Sequence, residues 1–142
     1  MEAIRVAKGE DLERIYTLIS LLEDTTLDHS IFEDMYRRNL SNPSIHYFVY
    51  EQNEQVVGFI SVYIQELLHH ADKIGEIQEF IVHTDQRGQG IGTKLFEKAK
   101  EVCIENGIAQ LEVCCNQKRH ASHAFYTLQG MTNHHFKFCL TL

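Results

Sequence analysis

The stretch Ile74-Gly75-Glu76-Ile77-Gln78-Glu79-Phe80-Ile81-Val82-His83-Thr84-Asp85-Gln86-Arg87-Gly88-Gln89-Gly90-Ile91-Gly92-Thr93 changes its hydrophobic period halfway along. Residues 74–83 read as a strand. Beyond the glycines, Ile91, Leu95, Phe96, Ala99, Val102 and Cys103 fall on one helical stripe, stopped by Asn106-Gly107. Strand, glycine turn and helix in that order form a phosphate-binding layout. Gly88, Gly90 and Gly92 leave a row of backbone N–H groups unscreened by Cβ atoms, and the helix that begins there adds its positive dipole end. Two nucleotide patterns fail on spacing, because the third glycine of G-x-G-x-x-G and the Walker lysine would each have to stand at Thr93. Taken alone, the turn also reads as a bare strand-to-helix connection.

Downstream, Ala109, Leu111, Val113 and Cys115 alternate, so a strand returns parallel to the one before the helix. A helix from about His120 to Gln129 ends at Gly130, and alternating Phe136, Phe138, Leu140 and Leu142 predict a closing strand over 134–142. Upstream, Ile45 to Glu51 and Gln55 to Leu67 form an antiparallel hairpin across Gln52-Asn53-Glu54. In its second arm Val57, Phe59 and Tyr63 are expected on one face, and Val56, Ile60, Val62 and Ile64 mostly on the other, with both faces covered. Leu12, Ile15, Ile19 and Leu22 mark an amphipathic helix, about Ser30 to Leu40 a second one ended by Asn42-Pro43, and Glu2 to Lys8 a first short strand. The fold class is α/β: a mixed, mostly antiparallel sheet with one parallel β-α-β crossover at the glycine turn. No repeat, low-complexity tract or linker interrupts 1–142, which reads as one domain.

The 142 residues suffice for a core without disulfide or metal staples. No apolar run approaches the ~20 residues that cross a bilayer, and Met1-Glu2-Ala3-Ile4-Arg5 has no signal-peptide core, so the protein is expected in the cytoplasm, away from membranes. Thirteen Lys and Arg against 20 Asp and Glu give a net charge of −7, which leaves no basic footprint for nucleic acid. Cys103, Cys114, Cys115 and Cys139 lack zinc or disulfide spacing and read as reduced, mostly buried thiols.

The pattern Arg87-x-x-Gly90-x-Gly92, after Ile77-x-x-Phe80-x-Val82, resembles the acetyl-CoA signature of the GCN5-related N-acetyltransferases, the GNAT superfamily. Further on, Ala121-Ser122-His123-Ala124-Phe125-Tyr126-Thr127-Leu128-Gln129-Gly130 resembles the second superfamily signature, A-x-x-F-Y-x-x-x-G. The chain is also similar, nearly end to end, to the bacterial aminoalkylphosphonate N-acetyltransferases. That similarity is carried by Leu27-Asp28-His29, Val56-Val57-Gly58, Leu68-His69-His70, Ile74 to Glu79, Asn116-Gln117-Lys118-Arg119-His120 and His135-Phe136-Lys137-Phe138. The resemblance implies acetyl-CoA as acetyl donor, held by Phe80, Ile81, Val82, Arg87, Gly88, Gln89, Gly90, Ile91, Gly92, Thr93, Asn116 and Arg119. It implies acceptor contacts from Asp28, His29, His70 and Gln78. Two departures stand out: Arg119 occupies the usual Asn position, with Asn116 three residues earlier, and Gly130-Met131 replaces the terminal Gly-Phe.

Acetyl transfer to an amine needs a base for the ammonium proton and an acid for the leaving thiolate. The resemblance places Glu76 as base and Tyr126 as acid, with a backbone N–H near Phe80 to Val82 for the oxyanion. Glu79 stays open as the base. In an unbroken strand it would face away from Glu76, and the bulge near Phe80 that the resemblance implies would alter that. Each of these groups also has an ordinary structural reading, Glu76 as a solvated edge carboxylate and Tyr126 as a packed aromatic. None of the nine histidines has metal-specific spacing; His120 and His123 form an i, i+3 pair. The resemblance leaves room for a divalent ion, or for an anion pocket of Asp28, His29, His69 and His70, with Lys118 and Arg119 as further anion partners. The expected acceptor is a small primary amine, most specifically an aminoalkylphosphonate. The competing readings are acetylation of a free amino acid, polyamine or amino sugar, and a CoA-binding sensor without turnover, against which Glu76 and Tyr126 together argue. The apolar last strand would suit pairing into a homodimer.

Overall fold

The apolar alternation over residues 45–67 builds the middle of the sheet. In the computed structural model, which describes residues 3–142, β2 (Ile45–Gln52) and β3 (Gln55–Leu67) pair as the expected hairpin. Asn53 and Glu54 close it at φ 51° and 62°, the left-handed pair that matches the twist of two antiparallel strands. β1 (Ala3–Val6) adds to β2 and β4 (Asp72–Val82) to β3, both antiparallel. Of the expected first strand, Glu2 lies outside the described residues. β5 (Leu111–Val113) completes the order β1-β2-β3-β4-β5. It is reached from β4 through the helix α3 (Ile91–Glu105), the crossover that a parallel neighbour requires, and the sheet is mixed.

Two layers of helix cover the sheet. On one face α1 (Leu12–Glu23) and α2 (His29–Leu40) bury Leu12, Ile15, Leu18, Ile19 and Tyr36 against Tyr47, Val49, Phe59 and Ile81. On the other, α3 buries the stripe read from sequence, Ile91, Leu95, Phe96, Ala99, Val102 and Cys103. Two glycines set how closely α3 approaches. A Cβ at Gly58 would sit 2.9 Å from Leu95 Cδ1, and one at Gly75 would sit 2.5 Å from Cys103 Sγ.

The ladder breaks register twice, between Tyr50 and Glu51 on β2 and between Ile60 and Val62 on β3. The first break corrects the expected facing of β3. Tyr50 pairs with Gly58 and Glu51 with Val56, so Val57 is the extra residue and Val56 shares the α1/α2 core with Phe59. The second break shapes the site described below.

Contacts divide the chain into two compact units, 1–112 and 113–142. The second carries α4 (His120–Leu128), within the bounds read from sequence. The strand expected over 134–142 does not form: residues 131–142 belong to no helix or ladder. Phe136, Phe138, Leu140 and Leu142 are all largely exposed. Alternation supplies strand propensity, but a strand exists only where a neighbour accepts its hydrogen bonds. The thiols are free, as expected, yet only Cys103 is buried; Cys114 and Cys139 are exposed.

Candidate active site

The end of β4 turns through a short 3-10 segment, Thr84–Gln86, into the glycine loop. Gly88 and Gly90 both sit at φ 80°, a conformation that disfavours any side chain, and a Cβ on either would meet nothing within 4 Å. Gly90 is the N-cap of α3, and its carbonyl accepts the first helical bond from Lys94 N–H at 3.1 Å. The first amides of a 15-residue helix therefore point out of an open glycine turn, which fits the pyrophosphate expected there.

Not every side chain assigned to this group is available to it. Ile91 is buried beside Gly58, and Ile81 is buried in the α1/α2 core, so only their backbone atoms remain for a ligand. Phe80 and Val82 are half-buried and lie opposite Ile60 and Gly58. Arg87 Nε donates to the Val82 carbonyl at 3.2 Å, folding the side chain back along the end of β4, and Gln89 Oε1 accepts from Gln52 Nε2 at 3.2 Å. Gly92 and Thr93 occupy the first turn of α3, with Thr93 exposed.

The second register break decides where the acidic residues of β4 point. Ile60 pairs with Phe80 and Val62 with Ile77, so Gln78 and Glu79 together oppose the single residue Ser61. Tyr63 lies opposite Glu76 and Phe59 opposite Ile81; Phe59, Ser61 and Tyr63 alternate onto the α1/α2 face. The extra residue brings Glu79 onto the face that Glu76 already occupies. Three residues apart on a regular strand, the two would face opposite ways.

Their surroundings differ. Glu76 Oε1 accepts from Gln78 Nε2 at 2.7 Å near the surface. Glu79 is the more enclosed: its backbone N–H donates to Ser61 Oγ at 2.8 Å, and the same hydroxyl donates to its Oε1. Burial pushes the Glu79 carboxyl above its ordinary range, Ser61 draws it partly back, and Glu23 of α1 pushes it up again. Beside it Tyr47 and Tyr63 hydroxyls lie 3.3 Å apart, and Asn39 Nδ2 donates to Tyr47 at 2.7 Å. Burial, with Glu79 among the neighbouring charges, raises both phenols. Ser61 is the residue that sequence reasoning missed. Its signal was there: one hydroxyl inside the apolar run Val56-Val57-Gly58-Phe59-Ile60-Ser61-Val62.

The expected acceptor contacts scatter. Gln78 sits in the bulge beside Glu76. Asp28 caps α2, its Oδ1 accepting from Ile31 N–H at 3.0 Å, while His29 Nε2 lies 2.7 Å from Glu13 Oε1 and edge-on to Tyr16. His70 lies in the β3–β4 turn, 3.7 Å from Glu112 Oε2. Six residues of strand separate Ser61 from the end of β3 at Leu67, about 20 Å at the usual rise, so a small amine at the bulge does not also reach His70. Among the described residues, no group of three or more His, Cys, Asp or Glu gathers as a metal site.

In the second unit, Asn116 Oδ1 accepts from Lys118 N–H at 2.9 Å, and its carbonyl accepts from Arg119 N–H at 3.0 Å, so Asn116 and Arg119 shape the turn that starts α4. Tyr126 lies on α4, half-buried; burial first, then Cys115, pushes its hydroxyl up to about 12, with Arg119 pulling the other way.

Comparison with known proteins identifies the family and the fold. The model of the Acetyltransferase (GNAT) family matches residues 9–131. The chain is 40% identical over 139 residues to the aminoalkylphosphonate N-acetyltransferase of Salmonella typhimurium, covering 98% of this chain and 90% of that one. It is 27% identical over 131 residues to a putative ribosomal protein bS18-alanine N-acetyltransferase of Bacillus subtilis, covering 91% and 80%. Among solved structures, a transcriptional regulator from Bacillus halodurans superposes with a TM-score of 0.92 at 20% identity over the full length of both chains. The aminoglycoside N-acetyltransferase AAC(6')-Iy in complex with CoA superposes with a TM-score of 0.89 at 13% identity, covering 100% of this chain and 95% of that one. At such identities the two structures speak to the fold alone.

Proposed function

The chain belongs to the GNAT acetyltransferase family, and on that footing we propose that its acceptor is an aminoalkylphosphonate, a small primary amine bearing a phosphonate. It is an N-acetyltransferase that uses acetyl-CoA. The observation that carries the acceptor is the 40% identity to the Salmonella enzyme, which runs over 98% of the chain rather than over the glycine turn alone.

Acetyl-CoA supplies the acetyl group as a thioester. A primary ammonium with a pKa near ~10.4 is protonated at neutral pH, so a base on this chain must free its lone pair. Glu76, at the position the family resemblance implies, and Glu79 beside it on the same face are the carboxylates assigned to that task. Tyr126, in the A-x-x-F-Y-x-x-x-G segment, is assigned the proton given to the departing thiolate, and a hydroxyl pushed up to about 12 holds that proton at neutral pH. A backbone N–H near Phe80 to Val82 is assigned to the oxyanion, and the glycine turn from Arg87 to Thr93 to the cofactor's phosphates. Gln78, Asp28 and His29 are the proposed acceptor contacts on the α1/α2 side of the sheet. The four free thiols fit a reducing compartment, the cytoplasm. The exposed apolar row Phe136, Phe138, Leu140 and Leu142 fits contact with a second copy, making a homodimer.

The test is thiol release from acetyl-CoA with a panel of amines. Aminomethyl- or 1-aminoethylphosphonate is expected to exceed an uncharged alkylamine of similar size by 10²-fold or more in kcat/KM, about what one well-paired buried ion contact provides. Faster acetylation of threonine or serine than of either phosphonate would remove the acceptor assignment and leave the family activity standing.

A further inference from the structure

The bulge opposite Ser61 leaves two polar groups of Glu79 in search of partners, its backbone N–H and its carboxylate. One hydroxyl serves both. Ser61 Oγ accepts from Glu79 N–H at 2.8 Å and donates to Glu79 Oε1, closing a ring that ties the side chain to its own backbone. Glu79 Oε2 takes no part in that ring. Ser61 is 0% exposed, and an aliphatic residue would serve the packing there better, since a buried hydroxyl is costly unless it is hydrogen-bonded. What the hydroxyl contributes is a fixed position for the carboxylate of Glu79.

We infer that Glu79 is the base that takes the acceptor's proton, and that Ser61 is the positioning residue holding Glu79 in place for it. This rests on the acetyl-transfer reading above and narrows it. The step is a single proton transfer: one N–H bond of the ammonium breaks, the proton passes to Glu79, a neutral amine and a neutral carboxylic acid result, and the proton then leaves to solvent. Glu79 suits the step better than Glu76. Its Oε1 is fixed by a buried hydroxyl, whereas Gln78, whose amide donates to Glu76 Oε1, is exposed. The groups facing Glu79 are Glu23 from α1, Tyr47 from β2, Tyr63 and Ser61 from β3, and Glu76 from β4. Burial lifts its carboxyl above the ordinary carboxylate range, the Ser61 hydrogen bond limits the lift, and Glu23 adds to it.

The experiment is the pH profile of kcat/KM for wild type, Ser61→Ala, Glu79→Gln and Glu76→Gln, with aminomethylphosphonate and ethylamine as acceptors and thiol release as readout. In Ser61→Ala the acid limb moves to higher pH. Activity below the limb drops about tenfold for each pH unit moved, the high-pH plateau falls as well because the carboxylate is no longer held, and the KM for acetyl-CoA is unchanged. Glu79→Gln loses the limb; Glu76→Gln keeps it. Ser61→Cys, close in volume and a weaker donor, places the limb between wild type and Ser61→Ala, and it guards against misfolding of the alanine variant. In a Glu79→Gln background, Ser61→Ala adds no pH effect. A purely structural serine would lower activity equally at every pH, so an unmoved limb in Ser61→Ala overturns the inference. So does a limb that survives Glu79→Gln and vanishes in Glu76→Gln. A wild type that releases no thiol with any amine defeats the acetyl-transfer reading instead, a result separable from both.

Discussion

Gly75 precedes Glu76 on β4 and faces α3, where a Cβ would lie 2.5 Å from Cys103 Sγ and at ordinary contact distance, 3.6 and 3.7 Å, from Leu111 Cδ1 and Val62 Cγ1. The whole obstruction is one sulfur atom. Gly75→Ala alone must displace it inside a core where Cys103 is 3% exposed, an overpacking that costs ~1–3 kcal/mol. Cys103→Ala alone deletes one buried heavy atom and should cost about 1 kcal/mol. The double variant moves volume from one side of the contact to the other, so its loss should be smaller than that of Gly75→Ala alone, with a coupling of ~1–3 kcal/mol. Urea unfolding reads this directly: at ~1–3 kcal/mol per molar, a 2 kcal/mol rescue moves the midpoint by roughly 1 M. Acetyl transfer should follow the same pattern, because displacing α3 from β4 disturbs both the glycine turn and the strand that carries Glu76 and Glu79. If the double variant loses the sum of the single losses to within about 0.5 kcal/mol, the close approach of α3 at Gly75 is not what fixes the residue.

Two other positions give sharp outcomes. At Gly90, φ is 80° and the space is open, so the demand is on backbone conformation: Gly90→Asn, which tolerates the left-handed region, should keep more CoA affinity by calorimetry than Gly90→Val, which pays ~1–2 kcal/mol or more to adopt it. Unchanged affinity in a folded Gly90→Val protein would remove the turn from the cofactor site. Glu79 should cost stability at neutral pH, because burial raises its carboxyl in the folded protein and the folded state therefore binds the proton more tightly than the unfolded one. Stability is then complete below the ordinary carboxylate range and falls as pH rises through the raised value. Glu79→Gln should be more stable than wild type at pH 7 and nearly equal to it at pH 4 in urea titrations; a less stable Glu79→Gln at pH 7 would refute the burial argument.

Local patterns were legible where their consequences are also local. The stripe from Ile91 to Cys103 needs only the helix period and one apolar neighbour, and the structure buries every member of it. The glycine turn declared itself because two of its glycines stand at left-handed positions that other residues avoid. The segment 134–142 shows the limit. Its alternation is as clean as that of β3, yet β3 has β2 and β4 beside it, while residues 131–142 enter no ladder and leave Phe136 and Phe138 exposed. Pattern specifies which face a strand would bury, and only pairing decides whether there is a strand.

The same distinction governs the candidate site. Counting along β4 puts Glu76 and Glu79 on opposite faces, and the count is right for any strand whose partner keeps step. Register belongs to two strands at once, so the β4 sequence alone left the facing of Glu79 open, and only the family resemblance pointed to a bulge near Phe80, next to the break opposite Ser61. The hint lay on the partner: a lone hydroxyl in the most apolar run of β3 has no reason to be there unless a polar group across the ladder needs it. Glu79 supplies that need twice, through its N–H and its carboxylate. A buried serine or threonine at the centre of an otherwise aliphatic strand is therefore a marker for a bulge in the neighbouring strand. In this chain it points to a place where two carboxylates share a face of the sheet with the phenols of Tyr47 and Tyr63.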